Sequence, residues 1–246
     1  MNRDEILGLS GMPAARPMFP VGPYHFFDRE YLSITYRTDA AAIRRGLPEP
    51  LEPDGDKVTC QWVDMPDGTG FGAYTATALT IPCRFKGQAC TYIAQMYVNN
   101  SPPVSGGREI WGYPMKYAHP ELKVEKDTLT GILDYSGVRV ATGTMTYKHR
   151  RADAKVMDTE SLLARTQVNL KFIPGVDGKP AIAQLTAYEF QDITVKGAWM
   201  GDARLALVPS VNAPLVNYPV LGELHGLHIK TDLTLPYGRV IHDYLA

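Results

Sequence analysis

Apolar and polar residues alternate with a period of two along much of the chain, the pattern of strands buried on one face. Residues 31–37 (YLSITYR) alternate in this way, 91–98 (TYIAQMYV) are rich in aromatic and β-branched residues, and 128–135 (TLTGILDY) run up to a turn at Ser136 and Gly137. Residues 138–147 (VRVATGTMTY) follow that turn, so the two runs predict a β-hairpin. Further strands are predicted over 166–173, 181–190 and 228–235, with a turn at Asp177 and Gly178 between the first two. Helical signals are few. The clearest covers 39–46 (DAAAIRRG), where Asp39 can cap the first turn and Gly46, followed by Pro48, can end the last. A second short helix is expected within 152–164. Many short strands with few helices predict an antiparallel β-barrel or sandwich, closed or covered so that its edges are hidden.

Composition narrows this further. The 22 glycines and 19 prolines are spread along the 246 residues rather than pooled, which suits short elements joined by turns and a single domain over 1–246. Hydrophobic residues make up 45%, enough for one large core. Lys and Arg number 25 against 26 Asp and Glu, a net charge of −1. That balance argues against nucleic acid or an anionic membrane as partner, since such surfaces call for excess positive charge. The N-terminus carries both signs of charge and leads into no long apolar run, so a cytoplasmic location is expected. Cys60, Cys83 and Cys90 are an odd number without CxxC spacing. They predict small buried hydrophobes rather than a disulfide framework or a thiolate zinc site.

One segment, 107–120 (GREIWGYPMKYAHP), places charges and aromatic rings where the surroundings read as core. Lys116 stands among Trp111, Tyr113, Pro114, Met115 and Tyr117. Desolvation there would lower its pKa and free part of the amine for Schiff-base chemistry. The competing reading is a lysine lying along apolar surface with its ammonium in water. Other motifs carry less. His225 and His228 stand three apart, but the run from His228 alternates like a strand and no third ligand can be named, so no metal is expected and both read as surface or edge histidines. The sequence Ser105-Gly106-Gly107 lacks the lysine and hydroxyl of a P-loop, and no G-x-S-x-G elbow is present.

The same segment resembles the active-site motif of the acetoacetate decarboxylase family, in which Gly-Arg-Glu is followed by Tyr-Pro-Lys-Lys. The resemblance continues in order through 19–24 (FPVGPY), 28–31 (DREY), 36–39 (YRTD), 47–51 (LPEPL), 70–74 (GFGAY), 139–142 (RVAT), 147–149 (YKH) and 243–245 (DYL), covering nearly the whole chain. It implies a mainly β fold, a conical antiparallel β-barrel with flanking sheets and a few short helices, assembled into homo-oligomers. It also implies a lyase that needs no cofactor and in which a buried lysine forms an iminium with a small keto acid.

Three positions depart from the family. Its iminium-forming lysine falls on Met115, and the two glutamates of its pocket fall on Gln61 and Ala76. Arg29, which the resemblance assigns to the substrate carboxylate, is kept, as are Arg108 and Glu109. Two readings follow for Lys116. In one, a bulge at Pro114 turns it inward as the nucleophile, with Tyr113 or Gln61 assisting proton movement in decarboxylation or aldol and dehydration chemistry. In the other, it is a point charge that holds a carboxylate beside Arg29 or Arg108, and no iminium forms. Met96, Met115, Ala76 and Glu109 complete the expected substrate-binding set.

Overall fold

A computed structural model describes residues 1–152 and 162–246. Its strands form two sheets. The larger follows the spatial order β11 (Arg150–Arg151), β14 (Gln191–Gly201), β16 (His225–Leu235), β1 (Tyr24–Arg37), β3 (Lys57–Met65), β5 (Tyr74–Phe85), β6 (Gln88–Val98), β12 (Gln167–Pro174), β13 (Pro180–Tyr188) and β17 (Arg239–Asp243). Three short strands join it laterally: β2 (Glu52–Pro53) on β5, β4 (Asp67–Gly68) on β1 and β7 (Met115–Tyr117) on β6. The smaller sheet runs β15 (Ala203–Leu207), β10 (Val138–Thr146), β9 (Thr128–Tyr135), β8 (His119–Glu125). The large sheet curls until Phe190, just past β13, lies against Arg29 of β1, and one apolar cluster lines the inside of this curl. A second cluster fills the space between the two sheets.

The predicted hairpin is β9 and β10, turning through Ser136 and Gly137, both at positive φ as a tight hairpin turn requires. The helix over 39–46 forms as Ala40–Gly46, capped by the Asp39 carboxylate, which accepts from the Ala41 amide at 3.1 Å. The helix expected within 152–164 lies, apart from its ends, outside the described residues. The expected mainly β fold with a few short helices is what forms, and most of its pairings are antiparallel; the exceptions are β12 and β7, each of which pairs with β6 in parallel. Both are reached by connections long enough to carry the chain back to the starting end of its neighbour. The reading of His228 as a surface residue is also corrected. Its ring is fully buried on β16, with Nε2 2.6 Å from Glu30 Oε1 and a face stacked on Trp199. Among the described residues no helix is long and apolar enough to cross a membrane.

The two sheets are keyed together by Trp62 of β3, which is wholly buried. Its ring occupies the space that side chains would take at Gly131 of β9 and Gly143 of β10, which face each other in register. A Cβ at either glycine would fall on the indole. Gly143→Val is therefore expected to destabilise the protein by about 1–3 kcal/mol through overpacking, and Trp62→Ala by about 3–5 kcal/mol through the cavity it leaves. Both are measured as shifts of the urea midpoint at unchanged m-value.

Candidate active site

The inside of the curl holds a cavity of about 180 Å³. Strand β1 sends Arg29, Tyr31, Ser33 and Thr35 into its wall, and the alternation that does so depends on one irregularity. The pairing of β1 with β16 slips between Phe26 and Arg29, with Asp28 at φ 54°. The extra residue of this bulge changes the phase of the strand, so that Tyr24 and Phe26 before it and Arg29 and Tyr31 after it share one face. Two contacts hold the bulge. The Asp28 amide donates to Asp232 Oδ1 at 2.7 Å, and Lys196 Nζ bridges Asp28 and Asp232, 2.7 Å from each.

Arg29 is 8% exposed and makes no ion pair among the described residues. Its guanidinium sits in a cage of rings, 5.3 Å from the centroid of Phe26, 4.8 Å from Tyr31 and 5.0 Å from Phe190. Its Nε and the Tyr31 hydroxyl are both buried without a hydrogen-bond partner among the described residues. Opposite stand Tyr113 and Tyr188, the Tyr113 hydroxyl donating to that of Tyr188 in a short contact. Burial pushes the phenols of Tyr31, Tyr74, Tyr113 and Tyr188 up, so at neutral pH they are protonated donors. Among the described residues the wall therefore presents two guanidinium groups, Arg29 and Arg165, neutral phenols, and the amides of Gln61 and Gln167, with no carboxylate or lysine side chain bordering the cavity.

Behind Arg29 the space narrows to a hollow of about 20 Å³ bordered by Met65, Met96, Tyr113 and Met115. Here the segment 107–117 takes its shape. A single π-helical turn over Gly107–Trp111 ends at Gly112, whose φ of 75° is left-handed and whose Cα lies against the backbone of Lys171. Trp111 is tied by its indole N–H to the Pro236 carbonyl at 2.9 Å. The chain then enters β7 with Met115 beside Met96 and Lys116 beside Tyr97. The Met115 sulfur fills the space left by the absent side chain of Gly107.

Regular alternation thus decides the direction of each side chain. Met115 points inward and is buried, whereas Lys116 points to the opposite face and is exposed. Lys116 Nζ donates to the Asn212 carbonyl at 2.8 Å and lies over the Tyr135 ring at 5.9 Å. The expectation that a bulge at Pro114 turns Lys116 into the cavity is overturned, because β7 pairs in unbroken register with β6. Of its alternative role, holding a carboxylate beside Arg29 or Arg108, the pairing with Arg29 falls for the same reason.

Arg108 and Glu109 also need correction. Arg108 is exposed and donates to the Met115 carbonyl at 3.2 Å, fastening the backbone of β7, and Glu109 stands near Gly11, outside the cavity. Ala76 is buried between Val63 and Val98 and does not border the cavity. Arg29, Gln61, Met96 and Tyr113 line the cavity as expected, and Met115 the hollow behind it. Sequence reasoning missed Tyr31, Tyr188 and Phe190. Tyr31 was legible as the next same-face position after Arg29, but the other two reach the site only through the curl of the sheet.

A model of the acetoacetate decarboxylase family matches residues 11–245. An acetoacetate decarboxylase of Acidiphilium cryptum is 50% identical over 235 residues, covering 96% of this chain and 95% of that protein. Among solved structures, an acetoacetate decarboxylase is similar at TM-score 0.96 and 42% identity over the whole of both chains. The acetoacetate decarboxylase of Legionella pneumophila is similar at TM-score 0.92 and 44% identity, over 96% of this chain and 95% of the other.

Because position 115 faces the hollow and position 116 does not, Met115→Lys should place an amine beside Arg29 in low dielectric, where its pKa falls. Borohydride reduction of that variant with acetoacetate is expected to yield a covalent adduct on residue 115, located by peptide mass, and none on residue 116.

Proposed function

The chain belongs to the acetoacetate decarboxylase family, a family of lyases, and from that premise we propose that it acts on a small keto acid without forming an iminium. What supports this reading is the buried Arg29 guanidinium, which among the described residues has no counter-ion and shares its cavity wall with no lysine. A ligand carboxylate pairing with Arg29 would satisfy a charge that is otherwise expensive to keep in low dielectric. Tyr31 is placed to donate to the same ligand, since its hydroxyl has no partner of its own.

Carbon–carbon bond cleavage or formation next to a ketone places negative charge on the ketone oxygen. In the iminium route a protonated nitrogen takes up those electrons. Here that task falls to hydrogen-bond donors fixed in a water-poor cavity, which need no reorganisation as the charge develops. Tyr188 is the best placed of these. Its hydroxyl oxygen accepts from Tyr113, leaving its own proton free to be donated to the enolate oxygen. Gln61 orients the ligand, since an amide cannot serve as a general base.

Three outcomes test the reading. Borohydride reduction of the wild-type protein with acetoacetate or pyruvate is expected to leave its mass unchanged, and an adduct on Lys116 would overturn the non-covalent route. Arg29→Met is expected to weaken binding of the acid at least tenfold by titration calorimetry. Release of CO2 from acetoacetate, or aldol product from pyruvate and an aldehyde, is expected to fall about 10²-fold in Tyr188→Phe, the scale of losing one oxyanion donor. Binding without turnover of either acid would leave a ligand-binding barrel in place of a lyase.

A further inference from the structure

Outside the cavity the molecule carries a second pair of reactive groups. Cys83 of β5 and Cys90 of β6 stand directly opposite each other across the antiparallel pairing. Their sulfurs are 3.2 Å apart, and both residues are buried. Directly opposed residues on antiparallel strands have Cα atoms about 4.5 or 5.5 Å apart, within the span that a disulfide bridges. Bringing the sulfurs to the bonded distance of about 2.05 Å therefore takes a closure of roughly 1 Å, within reach of side-chain rotation.

The third cysteine provides a contrast within the same chain. Cys60 of β3 is buried and free, and burial pushes its thiol up to about 12. At Cys90 the hydrogen bond from the Cys83 thiol and the nearby Arg165 guanidinium draw the thiol below its ordinary range, while the same pairing raises Cys83. One sulfur of the pair is thus the better nucleophile and the other holds its proton, the division of labour of an attacking and a resolving thiol.

We propose that Cys83 and Cys90 form an oxidation site that closes reversibly to a cross-strand disulfide, with a small peroxide as oxidant. The Cys90 thiolate attacks one peroxide oxygen, the O–O bond breaks, and the departing hydroxide takes up the proton that Cys90 gave up on ionising and leaves as water, giving a sulfenic acid on Cys90. Cys83 sulfur then attacks Cys90 sulfur. The S–S bond forms as the S–O bond breaks, and the oxygen leaves as a second water carrying the Cys83 proton. Two thiols and one peroxide thus become one disulfide and two waters, the two electrons passing from sulfur to oxygen. A paired thiol of this kind opens again by exchange with a free thiol. The bond would fasten β5 to β6 three residues before the turn at Lys86 and Gly87. Pro82 and Thr91, the next residues along the two strands, border the cavity from the other face of the sheet.

The test uses the intact protein treated with hydrogen peroxide, then denatured and alkylated. Expected is a loss of two hydrogens from the intact mass, one alkylated thiol in place of three, and a linked peptide pair containing Cys83 and Cys90. Dithiothreitol should restore all three thiols. In Cys83→Ser or Cys83→Ala the link should be absent and oxygen should add to Cys90 instead. Three alkylated thiols after peroxide, oxygen added to separate cysteines of the wild type, or a link that includes Cys60 would each overturn the proposal.

Discussion

A guanidinium held in a low-dielectric interior, with no counter-ion among the described residues, is the constraint on which the site rests. The desolvation penalty of such a charge is several kcal/mol, and the fold meets it only partly. Each of the three rings around Arg29 offsets the penalty by about 0.5–2 kcal/mol through cation–π attraction, and the rest is left open toward the cavity. The bulge at Asp28 is the device that keeps this charge inside. Without the extra residue, Arg29 would fall on the face opposite Tyr24 and Phe26. The anchors of the bulge, Lys196 and Asp232, lie on β14 and β16, so three neighbouring strands together hold one side chain in place.

The parity of β7 follows the same logic. Residues 115 and 116 are adjacent in sequence but lie on opposite faces of the sheet, and a slip of one residue would exchange them. Such a slip would bring a lysine inward and expose Met115, whose thioether fills the gap at Gly107. It would also break the pairing of Met96, Tyr97 and Val98 with their partners on β7 and the bond from Arg108 to the Met115 carbonyl. Packing, register and a hydrogen bond all oppose the rearrangement that would make Lys116 a nucleophile. Proximity along the chain therefore says little about which of two neighbouring residues meets a ligand.

Local chemistry explains what was legible in the sequence. The cap at Asp39 and the Ser136-Gly137 turn depend on residues within a few positions of each other, and both form as read. Arg29 and Gln61 were legible through resemblance, because collinear motifs carry position without requiring geometry, and Tyr113 through its place beside Lys116 in the motif segment. The direction of Lys116 was not, since it depends on a parallel partner strand some twenty residues upstream. The roles of Arg108 and Glu109 were hidden for a related reason. Two charges beside an active-site motif look like ligand contacts until the π-helical turn is seen to carry them outward. His228 was misread because its partner, Glu30, lies 198 positions away.

The departures at positions 61 and 115 make physical sense together. In the arrangement the resemblance implies, an amine and acidic groups share a cavity with an arginine, and the opposite charges balance one another. With Met115 and Gln61 in those places both the amine and a carboxylate are gone, while Arg29 remains. A carboxylate some 5 Å from a guanidinium interacts at an effective dielectric of about 20 by roughly 3 kcal/mol, competing directly with any anionic ligand. Removing it frees the whole of that attraction for the ligand. The loss of the amine removes the covalent electron sink that the resemblance implies, and the loss of the acid removes a competitor for Arg29. Turnover in such a site rests on how well the donors fixed on its wall, the neutral phenols among them, stabilise an enolate.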